Sequence, residues 1–326
     1  MTGIAVHDHA PRAVAEPARQ AAFLALMDAL ACAFKALQDS ACTRQLGSLV
    51  PGATMAFGAR VPGTSHQLDP VQAAFNIGTM ASWLQANDPA LATVAGDLAD
   101  NLGAILAVAD YRACKAIAEG ASPPLVRDLL SALVRAHEHA SLEWARSVRE
   151  SGSATAAQAT DATASAAARC ALTRIASAAA ATSLLGGAAD HVTAAVLIAR
   201  REAHPTGYPG TVPGLEGHER WRIGDATSRG VRLAFIALAG QTAPRSPTPP
   251  SDEATTQLAV MTELEQAWRA VAAMPDLANR IRDRFAASVT THFPAGQAGK
   301  ILASFADRDR VEVLPVNELV SMTVRN

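Results

Sequence analysis

The chain has 326 residues, with 28 Lys plus Arg against 30 Asp plus Glu and a net charge of −2. That length allows one large or two ordinary domains with a buried core, and near-neutrality excludes the basic face of a nucleic-acid binder. Hydrophobic residues make up 49% and charged residues 18%, too apolar for overall disorder, while aromatics are only 4%. The apolar share is therefore mainly Ala, Leu and Val, which favours close-packed helices over sheets.

Residues 1–17 read as a loose arm, with Pro11 and Pro17 and no apolar periodicity. His7, Asp8, His9 and Arg12 stand where a secretory signal needs an apolar core. No segment reaches the roughly 20 continuous apolar residues of a membrane span. A cytoplasmic protein with no membrane association is expected. The four cysteines, Cys32, Cys42, Cys114 and Cys170, are scattered and form no Cys-x-x-Cys pair. They read as small buried hydrophobes, neither a disulfide framework nor a zinc site.

A helix is predicted over 18–38, where Phe23, Met27, Leu30, Phe34 and Leu37 recur at spacings of three and four. From Gly47 to Pro70, repeated Pro and Gly break the pattern into a loop or small ribbon. Pro70 suits the first position of the next helix, with Asp69 as its cap. Asp100 is predicted to cap a helix through Leu102, Ile105 and Leu106, and Ser122 with Pro123 to open another carrying Leu125, Leu129 and Leu133. Residues 151–165 lack large apolar side chains and read as a flexible insert or a frayed helix, followed by an Ala-rich buried helix to Leu185. Gly207 to Gly217 is a loop, with no phosphate-binding spacing. Ile223 to Ala239 returns to helical spacing, so a helical domain is expected over 18–240. Four prolines mark residues 241–256 as a linker. Beyond it, residues 257–326 carry helical stripes, including Leu277, Ile281, Phe285 and Val289, expected to pack back on the body.

Several stretches carry more than periodicity: "SACTRQLGSLVPGATMAFGARVPGTSHQLDPVQAAFNIGTMASWLQAND" from Ser40 to Asp88, "DNLGAILAVADY" from Asp100 to Tyr111, and "RAHE" from Arg135 to Glu138. "GDATSRGVRLA" from Gly224 to Ala234 and "LPVNEL" from Leu314 to Leu319 follow in order. In these runs the chain resembles the 2-methylcitrate dehydratase family, the MmgE/PrpD superfamily, which includes cis-aconitate decarboxylase. The resemblance implies an all-α helical domain, interrupted in the family by a smaller α/β lid. It also implies homodimers, and metal-independent removal of a proton with loss of water or CO2 from small polycarboxylates.

Two departures bear on function. The lid is missing from the resemblance, and the jump falls at the Pro-rich linker, where an inserted domain would enter and leave at neighbouring points. The family motif after Trp-Leu has an Asp, a Thr four residues on and a His eight further; here these are Gln85, Pro89 and Asp97. The family His before the Ala-rich helix falls at Arg169, and the Lys ahead of Gly-Asp-Ala-Thr-Ser-Arg at Glu219. Elimination needs a general base and cations for the carboxylates. Gln85 cannot serve as the base and Glu219 would repel an anion, so dehydration of 2-methylcitrate is not expected.

Among the remaining polar residues, His137 and His139 form a His-x-His pair. On a helix, i and i+2 diverge by about 200°, which argues against joint metal ligation and for a helix-surface or capping role. Glu138 beside His137 keeps an acid–base role for His137 open. The preserved Gly-Asp-Ala-Thr-Ser-Arg run reads first as a helix start, with Asp225 as cap and Arg229 paired to a carboxylate. Its functional reading has Arg229 and the helix N-terminus holding a substrate carboxylate. Trp83, Trp144, Trp221 and Trp268 read as packing anchors.

The expectation is an all-α protein with His137, Asp88 and Asp97 as catalytic candidates. Asp225, Arg229 and Gln85 are the substrate-binding candidates, and no metal or cofactor is expected. Two function classes fit: a neofunctionalised lyase, isomerase or cyclase acting on a small organic substrate, and a non-catalytic pseudoenzyme. The second would bind a metabolite or pair with a full-length relative. A homodimer is expected in either case, because loss of a lid leaves apolar surface to be covered.

Overall fold

Helix formation follows the apolar repeats closely in this chain, and in the computed structural model helices carry nearly all of the regular structure. The structure describes residues 13–151, 162–202, 218–240 and 251–325. In order come α1 (Glu16–Ala36), α2 (Ser40–Thr43), the ribbon β1 (Ala59–Arg60) with β2 (Gln67–Leu68), and α3 (Pro70–Ser82). A 3-10 turn (Pro89–Leu91) leads into a second ribbon, β3 (Ala92–Thr93) with β4 (Gly96–Asp97), then α4 (Leu102–Ala118) and α5 (Val126–Ser151). Next are α6 (Ala162–Leu184), α7 (Ala189–Glu202) and α8 (His218–Leu238). The last five are α9 (Ser251–Ala272), α10 (Pro275–His292), α11 (Ala295–Phe305), α12 (Arg308–Glu312) and α13 (Val316–Thr323). Both ribbons are antiparallel and two-stranded, in registers Ala59↔Leu68 and Ala92↔Asp97.

Local chemistry explains the boundaries. Asp69 caps α3 by accepting from the N–H groups of Val71 and Gln72, with Pro70 as the first helical residue. Pro17 stands in the first turn of α1, so the helix starts inside the stretch read as an arm; residues 1–12 lie outside the described residues. Two predicted starts are corrected. Asp100 does not cap α4, whose first flanking residue is Asn101, because its carboxylate is taken by Arg169. Ser122 and Pro123 precede α5, which begins at Val126 with the Asp128 side chain accepting from the Leu125 N–H.

Of the expected insert, residues 152–161 lie outside the described residues, and Ala162–Ser165 already belong to α6. The Gly207 to Gly217 loop also lies outside them. In the Pro-rich stretch residues 241–250 do so as well, while Ser251 onward is helix α9.

α3 is the spine of the body, lying against α1, α4 and α8. Its contact with α8 is close because small residues face each other: a Cβ added at Gly224 would stand 2.6 Å from the Phe75 carbonyl, and one at Gly78 2.9 Å from the Gly224 Cα. Thr227 adds a bond from its hydroxyl to the Ala74 carbonyl at 3.1 Å. The helices after α8 share the same core. Phe285 of α10 packs between Phe34 of α1 and Phe305 of α11, with ring centroids 6.5 and 4.7 Å away. Among the described residues, no helix is long and apolar enough to cross a membrane. The four cysteines are free thiols; Cys32 and Cys42 are buried, and Cys114 and Cys170 are half-buried.

Candidate functional site

A cavity of about 310 Å³ opens where the β3–β4 hairpin leans over α5, α6 and the end of α3. The hairpin supplies Ala92, Thr93, Val94, Gly96 and Asp97; the preceding loop supplies Gln85, Asn87 and Pro89. Ser82, Trp144, Ala168, Arg169, Leu172 and Ile223 close the other sides. The hairpin turns through Gly96 at φ +118°, a conformation that L side chains rarely adopt. Gln85 is held at φ +47°, unusual for a residue with a side chain, and stands exposed at the cavity rim.

Asp97 is the buried acid of the cavity. Its Oδ1 accepts from the Ala99 N–H at 2.8 Å, and its own N–H donates to Asp100 Oδ2 at 3.0 Å. Burial, with the Asp100 charge second, pushes its pKa up to about 8. Arg169 donates from Nε to Asp100 Oδ2 at 2.7 Å and from Nη2 to Asp100 Oδ1. Burial works against the Arg169 cation, but the Asp100 carboxylate holds its pKa above the usual arginine value. Asp97 and Arg169 thus line the cavity, and both bond to Asp100, which does not line it.

His137 sits behind this wall. It is 2% exposed, and its Nε2 shares a hydrogen bond of 3.1 Å with Thr93 Oγ1, the hydroxyl that lines the cavity. Burial pushes its pKa down to about 4, which leaves a neutral imidazole. The helix-surface expectation for His137 and His139 is corrected, since both are buried between α5 and its neighbours. Their divergence on the helix does hold: His137 turns to Thr93, whereas His139 acts electrostatically on Glu143.

The other candidates stand elsewhere. Asp88 is a structural junction: its N–H donates to Asp28 Oδ2 at 2.8 Å, its Oδ1 accepts from the Ala90 N–H, and its Oδ2 meets Arg280 at 3.2 Å and Arg284 at 3.5 Å. Asp225 does not cap a helix, because α8 starts at His218 and places Asp225 mid-helix and exposed. Arg229 is paired with Glu202 of α7, its Nε donating to Oε2 at 2.8 Å, and neither Asp225 nor Arg229 lines the cavity. What keeps the Gly-Asp-Ala-Thr-Ser-Arg run together in this fold is Gly224 and Thr227 against α3. The Glu219 side chain lies outside the described residues.

Sequence reasoning missed Thr93, Asn87 and Asp100 as parts of the site; Trp144, read as a packing anchor, does pack against the core and also lines the cavity. Trp83 and Trp268 are buried anchors, and Trp83 donates from Nε1 to Asp39 Oδ2 at 2.8 Å. One signal was available: an Asp-x-x-Asp pair beside the altered motif, with an arginine at the other altered position.

The MmgE/PrpD N-terminal domain matches residues 4–266. The chain is 38% identical over 216 residues to a 2-methylcitrate dehydratase of Salmonella typhimurium, covering 66% of this chain and 42% of the relative. It is 39% identical over 216 residues to that of Cupriavidus necator, with the same coverage. A 2-methylcitrate dehydratase-like protein of Aspergillus oryzae is 31% identical over 226 residues, covering 68% of this chain and 43% of the relative. The chain belongs to the MmgE/PrpD family, and its described residues form a helical body with two small ribbons. The matched region spans less than half the length of these relatives. Within the chain, only residues 239–250 separate α8 from α9, too few for an inserted domain.

Proposed function

We propose that this cavity is an inherited small-molecule site with rebuilt chemistry. In this reading the chain is a lyase, isomerase or cyclase that acts on a small organic substrate and no longer dehydrates 2-methylcitrate. The observation that carries the reading is convergence: Gln85, Pro89, Asp97 and Arg169, four positions at which the sequence departs from the family pattern, all line one open cavity. They were not exchanged for alanines that would let the site collapse. An acid, a cation and an amide stand there instead.

Asp97 is the acid–base group in this proposal. A carboxyl with a pKa near the working pH is populated in both states and transfers protons efficiently, whereas an ordinary carboxylate is a weak acid catalyst at pH 7. Neutral His137, one hydroxyl behind the wall, orients Thr93. Gln85 contributes hydrogen bonds and no proton transfer. A second chain, in a homodimer or from a full-length relative, covers the open side and excludes water there, in the cytoplasm.

The alternative, a metabolite-binding pseudoenzyme, is favoured by one observation: the Arg169 fork is already engaged by Asp100. Incubation of the purified protein with a small-molecule extract, followed by untargeted mass spectrometry, separates the two. Depletion of a compound by wild type, with at least a hundredfold loss in Asp97→Asn, supports the enzyme. Depletion that survives Asp97→Asn removes Asp97 from the chemistry. Retention of a compound without turnover selects the binding protein.

A further inference from the structure

Most of the cavity wall is uncharged, with Gln85, Asn87 and Thr93 offering amides and a hydroxyl beside apolar Val94 and Leu172. Among the described residues, its lining carries one cation, Arg169, and one acid, Asp97. Arg169 does not present an open fork. Its Nε and Nη2 both donate to the Asp100 carboxylate, so one bidentate edge is filled and the charge is neutralised. Asp100 cannot easily turn away: it is buried and holds the Asp97 N–H. The hairpin wraps it so closely that a Cβ on Gly96 would stand 2.5 Å from its Oδ2.

We infer that Asp100 sets the charge class of the ligand: by neutralising Arg169 it fits the cavity to uncharged or singly charged small hydroxy and carbonyl compounds, and turns away di- and tricarboxylates. This rests on the cavity being a small-molecule site, as proposed above. The physical reason is that a polyanion entering the cavity would meet a cation whose field is already cancelled, next to two carboxyl groups, with no compensating donor of full charge. An uncharged ligand meets only hydrogen-bonding groups, and a single carboxylate can still use the outer edge of Arg169.

Ligand-observed NMR on the full chain, with a fragment set split equally among uncharged, singly anionic and di- or trianionic compounds, tests this. Repeating it on Ala168→Phe, which fills the cavity, separates cavity hits from surface hits. Uncharged and singly charged compounds should outnumber polyanions at least tenfold among the cavity hits. A polyanion share equal to that of the set overturns the inference. The absence of any hit that Ala168→Phe abolishes overturns the small-molecule reading beneath it. Citrate then probes Asp100 directly by calorimetry: Asp100→Asn should tighten citrate binding at least tenfold, and adding Arg169→Gln should reverse the gain. No gain overturns the role of Asp100. Should Asp100→Asn fail to fold, Arg169→Gln alone decides: unchanged citrate affinity supports the inference, and a tenfold loss overturns it.

Discussion

Asp97 shows at the scale of one residue how the site is held at a cost in stability. Its folded pKa, about 8, lies above its ordinary value of 3.8, so between those values the folded chain binds more protons than the unfolded one. Stability from this group is therefore present in full below about pH 4 and is lost as the pH rises towards 8. Asp97→Asn keeps an oxygen for the Ala99 N–H and removes the ionisation. Its melting temperature should exceed that of wild type, by more at pH 8 than at pH 5; a gain independent of pH would contradict the shift. Glu143 is the opposite case. Burial opposes its charge, but Arg200 and Arg146 hold its pKa at about 2, so the stabilisation is present above 4.5 and lost as the pH falls towards 2. Glu143→Gln leaves Arg200 buried without its carboxylate and should cost ~3 kcal/mol in urea unfolding at pH 7, and much less at pH 3. Neither shift is legible in the sequence: that of Asp97 comes from burial in the packed fold, with the Asp100 charge second, and the lowering of Glu143 comes from Arg200, 57 residues along the chain.

At the scale of elements, periodicity and capping located most helices, as at Asp69-Pro70 and along Leu277, Ile281 and Phe285. It failed where a polar residue had a stronger distant partner than a local cap, as Asp100 does, and where a cap motif sat inside a helix, as Asp225 does. The Gly224 run is a packing device between α3 and α8. Gly224→Ala would set a methyl 2.1 Å from Thr79 Oγ1 and should destabilise by ~1–3 kcal/mol, read from the denaturation midpoint at unchanged slope. α10 acts on the site from behind. Arg284 donates from Nη1 to Asp28 Oδ1 and to the Ala86 carbonyl, both at 2.7 Å, and so holds the loop that carries Gln85 and Asn87. Arg284→Ala leaves Asp28, 1% exposed, without its cation, and should cost ~3 kcal/mol or more. Faster amide exchange over residues 84–90 should accompany the loss; unchanged exchange there would show that the loop holds its shape without α10.

For the whole molecule, composition indicated a helical body and the collinear runs from Ser40 to Leu319 indicated the family. The cavity itself was only partly legible. Gln85, Pro89 and Asp97 stand close together in sequence, but Trp144, Arg169 and Ile223 reach the same wall from three separate helices. Only the packed fold brings them together. That the cavity persists while its chemical groups change is the central claim, and the family's own reaction tests it most directly. Purified protein incubated with 2-methylcitrate, and in parallel with citrate and cis-aconitate, would be followed by chromatography with mass detection for loss of water or CO2. The account predicts no product above a boiled control from any of the three. Product from 2-methylcitrate would contradict it, because it would show that Gln85 and Asp97 still support the reaction of the full-length relatives.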